Sequence, residues 1–494
     1  MEREQRNATG VEGLDIILRG GFTRDRMFLV EGMPGSGKTT LALQFLMDGA
    51  SRGESVLHVT MSETKEELHM AAASHGWSLE RVVIRELVPS EDELRPDQQY
   101  TMFHPSELEL TDRTKAILTE VERVKPTRVV FDSLSELRLL AGNPLRYRRQ
   151  ILSLKQFFSG RKCTVLLLDD LTATDRDLQI QSIAHGVISL GHLSPEYGTE
   201  RRRLRVVKYR GSDYLGGYQD YLIQRGGLVV FPRLAAADHR QEQRLRKLST
   251  GVPALDDLLG GGFESGSSTL LVGAPGTGKS SLASQFVVAA AKRGQRSTMF
   301  IFDESKQILL SRSEGLGIGL TEPMNSGLVQ IQQVDPAELS PGEFMHNVRN
   351  AATVDKSDVI VIDSLNGYLA AMPGERYLSL HIHEMLSYLG QLGVATVIIA
   401  AHQGFIGGPM ITPVDASYLA DAVLLLRYFE AGGEVHHAIS IVKKRGGAHE
   451  RTIREFSLGE GGVHVGAPLR QFRGILTGVP VYDGKSDTLH KEPA

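Results

Sequence analysis

The sequence predicts an α/β protein built from two tandem copies of one domain, each a mostly parallel sheet flanked by helices. Three observations support this prediction. The segment GMPGSGKTT (32–40) recurs as GAPGTGKSS (273–281), other segments recur in the same order, and short apolar runs alternate with longer helix-like stretches in each half. Such runs are typical of parallel strands that are buried on both faces, and the alternation is typical of an α/β sheet.

The internal repeat also predicts the domain organisation. Apart from the glycine-rich segments, the matching stretches are 9–22 with 250–263, 58–68 with 299–309, 128–137 with 359–368, and 206–211 with 440–446. We therefore expect an N-terminal domain, a charged linker, a C-terminal domain and a short tail, at 1–235, 236–248, 249–480 and 481–494 respectively. Late segments of each half, such as RRRLRVVKYRG (201–211), favour antiparallel strands.

The composition is typical of a globular protein of the cytoplasm. The chain has 494 residues, of which 41% are hydrophobic and 23% charged, and its net charge of -4 gives no reason to expect nucleic-acid binding. The single cysteine, Cys163, excludes an intrachain disulfide and favours a reducing compartment. The polar N-terminal segment is unlike a signal peptide, and apolar runs such as 393–401 are too short to cross a bilayer.

Both glycine-rich segments match the P-loop pattern that binds nucleotide phosphates. Each follows an apolar strand, MFLVEG (27–32) or STLLVG (268–273), and precedes a helical pattern. The glycines let the backbone curl around the phosphates, the lysine reaches the β- and γ-phosphates, and the next hydroxyl binds Mg²⁺. The predicted nucleotide-binding residues are Gly35, Ser36, Gly37, Lys38, Thr39 and Thr40, with Gly276, Thr277, Gly278, Lys279, Ser280 and Ser281 in the second half.

An acidic residue at the tip of a neighbouring strand completes the expected metal site. Asp132 ends the apolar run RVVFD, and Asp363 ends VIVID. With the hydroxyls of Thr39 and Ser280, these carboxylates are our candidate Mg²⁺ ligands. The alternative is that each aspartate is a turn residue or a helix cap.

Candidate catalytic acids follow the next strand in each half. Glu63 and Glu304 occupy corresponding positions, and Asp303 precedes the second of them. Because strand ends cluster at the ligand crevice of such sheets, we expect these carboxylates near the γ-phosphate, where one can orient or deprotonate the attacking water. The alternative is that they complement the dipole of the following helix.

The motif TGVxxLDxxLxGGF ahead of each P-loop, the acids after the next strand and KxRG near the end of each half resemble the KaiC family of circadian clock ATPases and autokinases. The resemblance spans about residues 8–480 and includes KKRGGAHE (443–450) and ERTIREF (450–456). It implies two tandem RecA-like P-loop NTPase domains, ATP and Mg²⁺ as cofactors, and a homohexamer of two stacked rings with nucleotide between neighbouring subunits. It further implies slow ATP hydrolysis in the N-terminal ring and serine/threonine autophosphorylation in the C-terminal ring.

The same resemblance implies further nucleotide contacts. Lys208 and Arg210, with Lys443 and Arg445, would reach the nucleotide of a neighbouring subunit; the alternative is a basic strand exposed to solvent. The other residues that match the family's nucleotide contacts are Ser74, Tyr209, Ser212, Tyr214 and Lys444. Trp77 falls in the adenine-side segment or, alternatively, in the core.

Several positions depart from the family pattern. The first half has Ser62-Glu63 where the family has two glutamates, and the second has Asp303-Glu304 with one shorter acid. Leu316 and His437 stand where an aromatic residue and an arginine are expected near the second nucleotide.

The expected phosphorylation segment departs as well. It aligns Ser417 with the family's serine, Tyr418 with its threonine, and Thr412 with a nearby threonine. The resemblance allows a KaiB-like partner, whereas the short tail after GILTGVP argues against a KaiA-like partner.

Two other functions stay open on the sequence. A RecA-like DNA-dependent ATPase is disfavoured by the near-neutral charge and the lack of a separate DNA-binding motif, and salt-dependent DNA binding would support it. A nucleotide-gated signalling scaffold with little kinase activity is compatible with the replacements at Asp303 and Tyr418.

Overall fold

The computed structural model describes residues 5–87, 105–171, 178–194, 198–234, 246–335, 337–370, 378–402, 419–477 and 480–482. Most of the expected linker and tail, and the phosphorylation candidates Thr412, Ser417 and Tyr418, lie outside these described residues. The chain divides into two compact units, Met1–Arg233 and Leu234–Ala494. Within the described ranges, a search for helices of bilayer-spanning length and hydropathy finds none.

The first unit contains a nine-stranded sheet. In spatial order its strands are β11 (Gly227–Phe231), β10 (Gln219–Gln224), β9 (Arg201–Tyr209), β8 (Gly186–Leu193), β3 (Met27–Gly32), β7 (Thr164–Asp170), β6 (Arg128–Asp132), β4 (Val56–Thr60) and β5 (Val83–Glu86). The helices are α1 (Glu12–Ile17), α2 (Lys38–Ser51), α3 (Lys65–Ser74), α4 (Pro105–Val124), α5 (Leu134–Ala141), α6 (Pro144–Phe158) and α7 (Leu178–Ile183). A short ribbon pairs β1 (Arg6–Asn7) with β2 (Phe22–Thr23).

The second unit repeats this order in another nine-stranded sheet. Its strands are β22 (Gly462–Pro468), β21 (Arg454–Gly459), β20 (Glu434–Lys444), β19 (Ala422–Ala431), β14 (Ser268–Gly273), β18 (Ala395–Ala401), β17 (Val359–Asp363), β15 (Ser297–Ile301) and β16 (Val329–Gln333). The helices are α8 (Pro253–Leu259), α9 (Lys279–Lys292), α10 (Lys306–Gly315), α11 (Thr321–Asn325), α12 (Pro341–Thr353), α13 (Leu365–Ala370) and α14 (Leu378–Gln391). Short ribbons pair β12 (Lys247–Leu248) with β13 (Phe263–Glu264) and β23 (Phe472–Arg473) with β24 (Val481–Tyr482), and a 3-10 helix spans Ile475–Thr477.

The predicted fold class is confirmed in both units. Six strands of each sheet pair in parallel, and the last three pair antiparallel, as the alternation late in each half indicates. Neighbouring residues of one strand point to opposite faces. Leu270 and Leu271 of β14 accordingly pack into two different apolar cores, one on each face of the second sheet. This burial on both faces explains why the central strands are apolar throughout.

One buried charge in the first unit has no counterpart in the second. Arg128, at the start of β6, is 1% exposed and its Nε lies 2.7 Å from Glu54 Oε2. Its guanidinium also donates to the carbonyls of Ala8 and Phe45 at 2.9 and 2.8 Å. The corresponding residue in the repeat is Val359. Arg128 thus ties the N-terminal segment, α2 and β6 together through donors that are nearly all satisfied.

Candidate nucleotide sites

Both P-loops adopt a backbone that glycine favours. Gly35 and Gly37 have φ of 78° and 88°, and Gly276 and Gly278 have φ of 82° and 90°. A Cβ at Gly37 would lie 2.6 Å from Ile223 Cδ1, so both the dihedral angle and the close packing require glycine there. Helices α2 and α9 begin at the P-loop lysines, which brings the positive end of each helix dipole to the phosphate position.

The two P-loop lysines are both buried but have different partners. Lys38 Nζ donates to the carbonyls of Gly32 and Met33 at 2.9 and 3.0 Å and lies 2.7 Å from Asp170 Oδ1. Lys279 Nζ donates to the corresponding carbonyls, of Gly273 and Ala274, at 2.9 and 2.8 Å. Burial lowers the pKa of Lys279 to about 8, and only Asp363 opposes this effect.

The hydroxyl and carboxylate predicted to bind Mg²⁺ meet in the first site. Thr39 Oγ1 donates to Asp132 Oδ2 at 2.8 Å, at the tip of β6 beside the P-loop. Burial raises the pKa of Asp132 to about 7, because the surroundings penalise its charged form.

The second site likewise has a buried carboxylate with a raised pKa next to the P-loop hydroxyl. Burial raises the pKa of Asp363 to about 6, and a hydrogen bond from Ser280 opposes the shift. Asp363 Oδ2 is buried without a hydrogen-bond partner among the described residues. An oxygen-binding dication would satisfy both buried carboxylates, so these residues fit Mg²⁺. The described residues contain no cluster of three or more protein metal ligands, so the ion would draw other ligands from nucleotide phosphates or water.

Glu63 lies in the first nucleotide cleft. This cleft, of about 380 Å³, is lined by the P-loop together with Glu63, Asp132 and Asp170. The pKa of Glu63 is raised, first by burial and then by the charges of Glu67 and Asp170. A carboxylate with a raised pKa beside the phosphate position has the chemistry of a general base.

The two acids of the second site are both held by other side chains. Ser364 Oγ donates a short hydrogen bond to Asp303 Oδ2. Arg312 pairs with both oxygens of Glu304, at 2.6 and 2.8 Å. Glu304, which follows β15, is therefore bound by an arginine, whereas Glu63 at the corresponding place after β4 lines the cleft.

The cations of the KxRG segments lie beside the beginning of each P-loop strand, whereas the P-loop follows the end of that strand. Arg210 N donates to the carbonyl of His185, and His185 N donates to that of Met27, the first residue of the P-loop strand. Lys208 Nζ donates to Gln181 O at 2.5 Å. These cations thus lie near the beginning of β3, whereas the P-loop follows the end of that strand.

The second repeat places its cations in the same way. Lys443 pairs in register with Val423, at the start of β19, and its Nζ donates to Ala420 O at 2.8 Å. Arg445 lies 3.3 Å from Asp421. Lys444 differs, because its buried Nζ contacts Glu264 at 3.3 Å and Leu259 O at 2.5 Å.

Three other residues of the first unit that the family resemblance assigns to the nucleotide form hydrogen bonds with residues of their own chain. The hydroxyl of buried Tyr209 accepts from Thr23 N at 2.7 Å, and Ser212 Oγ accepts from Arg6 at 2.5 Å. Ser74 Oγ donates to Ala71 O at 2.7 Å at the end of α3, and Tyr214 is half-buried.

At two of the departures in the second half, Leu316 packs against the core and the His437 ring lies tilted against that of Tyr428 with ring centroids 4.8 Å apart. The Tyr428 hydroxyl contacts Pro275 O in the P-loop at 3.2 Å.

The residues of the first cleft that were not predicted include Asp170 and His75. Asp170 ends β7 and pairs with Lys38; the paired acids that close TVLLLDD are a signal that could have indicated it. His75 lines the cleft and donates from Nδ1 to Gln224 O at 2.9 Å, and its ring lies tilted against that of Trp77 with ring centroids 4.7 Å apart. No periodicity marks His75, because its position follows from the end of α3.

Comparison with known proteins agrees with this geometry. A family model described as KaiC ATPase matches residues 7–235 and again 248–470. The chain belongs to the KaiC ATPase family. It is 26% identical to circadian clock protein KaiC3 of Synechocystis sp., over 97% of this chain and 95% of that protein. It is 28% identical to the circadian clock oscillator proteins KaiC of Picosynechococcus sp. and Prochlorococcus marinus, over 96% of this chain and 92% and 95% of theirs. Membership in the KaiC family makes the chain an ATP-binding ATPase with two repeats.

The pairing of Lys38 with Asp170 predicts an effect on ATP affinity. An incoming γ-phosphate competes with the Asp170 carboxylate for the same ammonium group and is repelled by its charge. We expect Asp170→Asn to tighten ATP binding at the first site by about tenfold. Equilibrium binding in a Lys279→Ala background, which removes the second P-loop lysine, measures this.

The repeat provides a matched control for that experiment. Ala401 occupies the register position of Asp170 beside the second P-loop strand. Ala401→Asp should therefore weaken ATP binding at the second site. Weaker binding in Asp170→Asn would instead mean that Asp170 assists the metal ion.

The raised pKa of Asp132 predicts a pH-dependent stability in the absence of nucleotide and Mg²⁺. The folded protein keeps a proton up to about pH 7 that the unfolded chain releases around its usual 3.8, so this group destabilises the fold increasingly as pH rises through that interval. We expect Asp132→Asn to unfold at a higher temperature than the parent. Its gain in the free energy of unfolding should be larger at pH 8 than at pH 5 by roughly 2 kcal/mol.

Thermal melts at the two pH values test this. For Asp363→Asn the gain should stop growing above about pH 6, because the pKa of Asp363 is about 6. A gain that does not depend on pH would contradict the prediction for either residue.

Proposed function

We propose that the chain is a Mg²⁺-dependent ATPase that assembles as a homohexamer with each nucleotide between neighbouring subunits. The observation that carries this proposal is the separation, in both repeats, of the KxRG cations from their own P-loop. Lys208, Arg210, Lys443 and Arg445 are too far along the strands to serve the nucleotide of their own repeat, but a neighbour stacked head-to-tail would present its P-loop to them. The nucleotide contacts expected for Tyr209, Ser212 and Lys444 are not part of this proposal. The side chains of these residues already bind other groups of the same chain.

We further propose that the first site is the principal hydrolase. Lys38 and the P-loop backbone bind the phosphates, and bound Mg²⁺ would supply charge neutralisation through Thr39 and Asp132. Glu63, with its raised pKa, accepts the proton of the attacking water. Neighbouring cations then stabilise the charge that develops on the transferred phosphoryl group.

The second site has the parts for holding ATP and transferring phosphate to its own chain. Lys279, Ser280 and Asp363 repeat the binding arrangement of the first site. Asp303 is the candidate base for a hydroxyl acceptor. Ser417 is the proposed main acceptor and Thr412 a minor one, because a pocket shaped for serine or threonine would place the longer Tyr418 side chain beyond the γ-phosphorus.

A second candidate function is a nucleotide-gated scaffold with little kinase activity. The observation that favours it is that both acids of the second site are already bound, Asp303 by Ser364 and Glu304 by Arg312. In either case we propose a cytoplasmic protein, two ATPase domains at 1–235 and 249–480, and a KaiB-like rather than a KaiA-like partner.

The two P-loop lysines should have separable roles. Because a ligand that binds only the assembled state favours assembly, Mg-ATP should shift the chain from monomer to hexamer. We expect Lys38→Ala to impair assembly and most of the ATP hydrolysis, and Lys279→Ala to spare assembly and abolish self-phosphorylation. Light scattering and phosphate release measure the two effects.

The control is Glu63→Gln, which should assemble with ATP but lose hydrolysis by roughly 10²-fold or more. A wild-type chain that stays monomeric in saturating Mg-ATP would refute the hexamer. Undiminished hydrolysis in Glu63→Gln combined with Glu304→Gln would refute the role of Glu63.

Phosphate mapping decides between autokinase and scaffold. After incubation with Mg-ATP, we expect phosphate on Ser417, less on Thr412 and almost none on Tyr418, measured by peptide mass spectrometry. Ser417→Ala is the matched control and should remove most of the incorporated phosphate. Phosphate on Tyr418 alone would contradict the geometric argument, and no phosphate at all would favour the scaffold.

A further inference from the structure

The second nucleotide site contains an ion pair that the first site lacks. Arg312 on α10 places Nη1 2.6 Å from Glu304 Oε2 and Nη2 2.8 Å from Oε1. The two side chains are 35% and 17% exposed, so solvent screens the pair only in part. A bidentate pair of this kind fixes the carboxylate through the rigid guanidinium fork and occupies both of its oxygens.

Local structure explains why this arginine reaches Glu304. Ser305 caps α10 by accepting a hydrogen bond from Ile308 N at 3.3 Å, so Glu304 is the last residue before the cap. Arg312 lies two helical turns further along, and its long side chain can extend back toward the beginning of the helix. The guanidinium charge also opposes part of the rise that burial causes in the pKa of Asp363.

The first site presents the opposite arrangement. Ala71 occupies the position of Arg312 on α3 and lines the cleft together with Glu63. Across the described parts of the chain, the Glu63 carboxylate has no ion-pair partner, and burial raises its pKa. The two repeats therefore share a backbone frame and one glutamate position, but only Glu304 is bound by an arginine.

Hydrolysis needs the carboxylate that this arginine occupies. The water oxygen bonds to the γ-phosphorus while the bond from that phosphorus to the β–γ bridging oxygen breaks, and ADP leaves with the bridging oxygen and its electron pair. A base must accept the proton that the water loses. A glutamate whose two oxygens both accept hydrogen bonds from a guanidinium cannot turn toward the water without breaking them.

We propose that Arg312 is a positioning residue that holds Glu304 away from the attacking water and so suppresses ATP hydrolysis at the second site. The pair keeps ATP intact there for uses other than hydrolysis. This inference rests on the proposed function, in which both repeats bind ATP.

The test uses the full chain carrying Glu63→Gln, so that first-site hydrolysis is removed while nucleotide still binds. Adding Arg312→Leu should raise the kcat of phosphate release by about tenfold or more while KM changes by less than about threefold. Arg312→Lys should give a smaller rise, because one ammonium group cannot hold both oxygens. Ser311→Leu, at an exposed position on the same helix, should change neither constant.

Two further variants show whether the effect passes through Glu304. Adding Glu304→Gln to Arg312→Leu should return hydrolysis to the starting level. Conversely, Ala71→Arg in a Lys279→Ala chain should lower hydrolysis at the first site, because it introduces the missing ion pair next to Glu63. This reciprocal variant also keeps the proposal testable if Arg312→Leu fails to fold.

The outcomes separate the inference from the proposed function. Unchanged or reduced phosphate release in Arg312→Leu, with ATP still bound by a fluorescent-analogue assay, would overturn the role of Arg312. A large rise in KM would also overturn it, because Arg312 would then be a phosphate ligand. Failure of the parent's second site to bind ATP would refute the proposed function instead.

Discussion

The constraint on which each repeat depends is the burial of opposite charges at one edge of a sheet. A P-loop lysine and a strand-end aspartate, Lys38 with Asp132 and Lys279 with Asp363, are held where water is largely excluded. Isolated buried charges are costly, so the surroundings have to supply partners. Main-chain carbonyls accept hydrogen bonds from both lysines, Asp170 also pairs with Lys38, and burial raises the pKa values of the two aspartates. A bound nucleotide and metal ion would supply charges complementary to these lysines and aspartates.

On this common frame the two repeats differ mainly in charged side chains. The first repeat adds Asp170 against its P-loop lysine, whereas the second has Ala401 there. The second adds Arg312 against its glutamate, whereas the first has Ala71. Substitution at a few cleft positions of a duplicated backbone changes the electrostatic surroundings of the lysine and the glutamate, because electrostatic interactions are strong where burial is high.

Much of the frame follows from the sequence. Burial on both faces makes the central strands apolar, and the P-loop glycines are required by backbone angle, so both features are visible in the residues themselves. The pairings of Lys38 with Asp170 and of Glu304 with Arg312 are not visible in this way. The first joins the beginning of α2 to the end of β7, and the second spans two turns of helix, so both depend on side-chain directions that composition and periodicity do not specify. The burial of Arg128 is likewise a tertiary effect, since the repeat has Val359 at that place.

The position of Lys208 and Arg210 beside the beginning of the P-loop strand, away from the P-loop itself, has a consequence for mixed assemblies. In a head-to-tail ring, each subunit would offer its P-loop to one neighbour and its cations to the other. A subunit without Lys208 would keep an intact P-loop of its own but would disable the nucleotide site that it shares with the adjacent subunit. A subunit without Lys38 would do the reverse. Two such defective chains, mixed together, would therefore restore working pockets wherever an intact P-loop meets intact cations, so that genetic complementation between inactive alleles would report that each pocket is shared between two subunits.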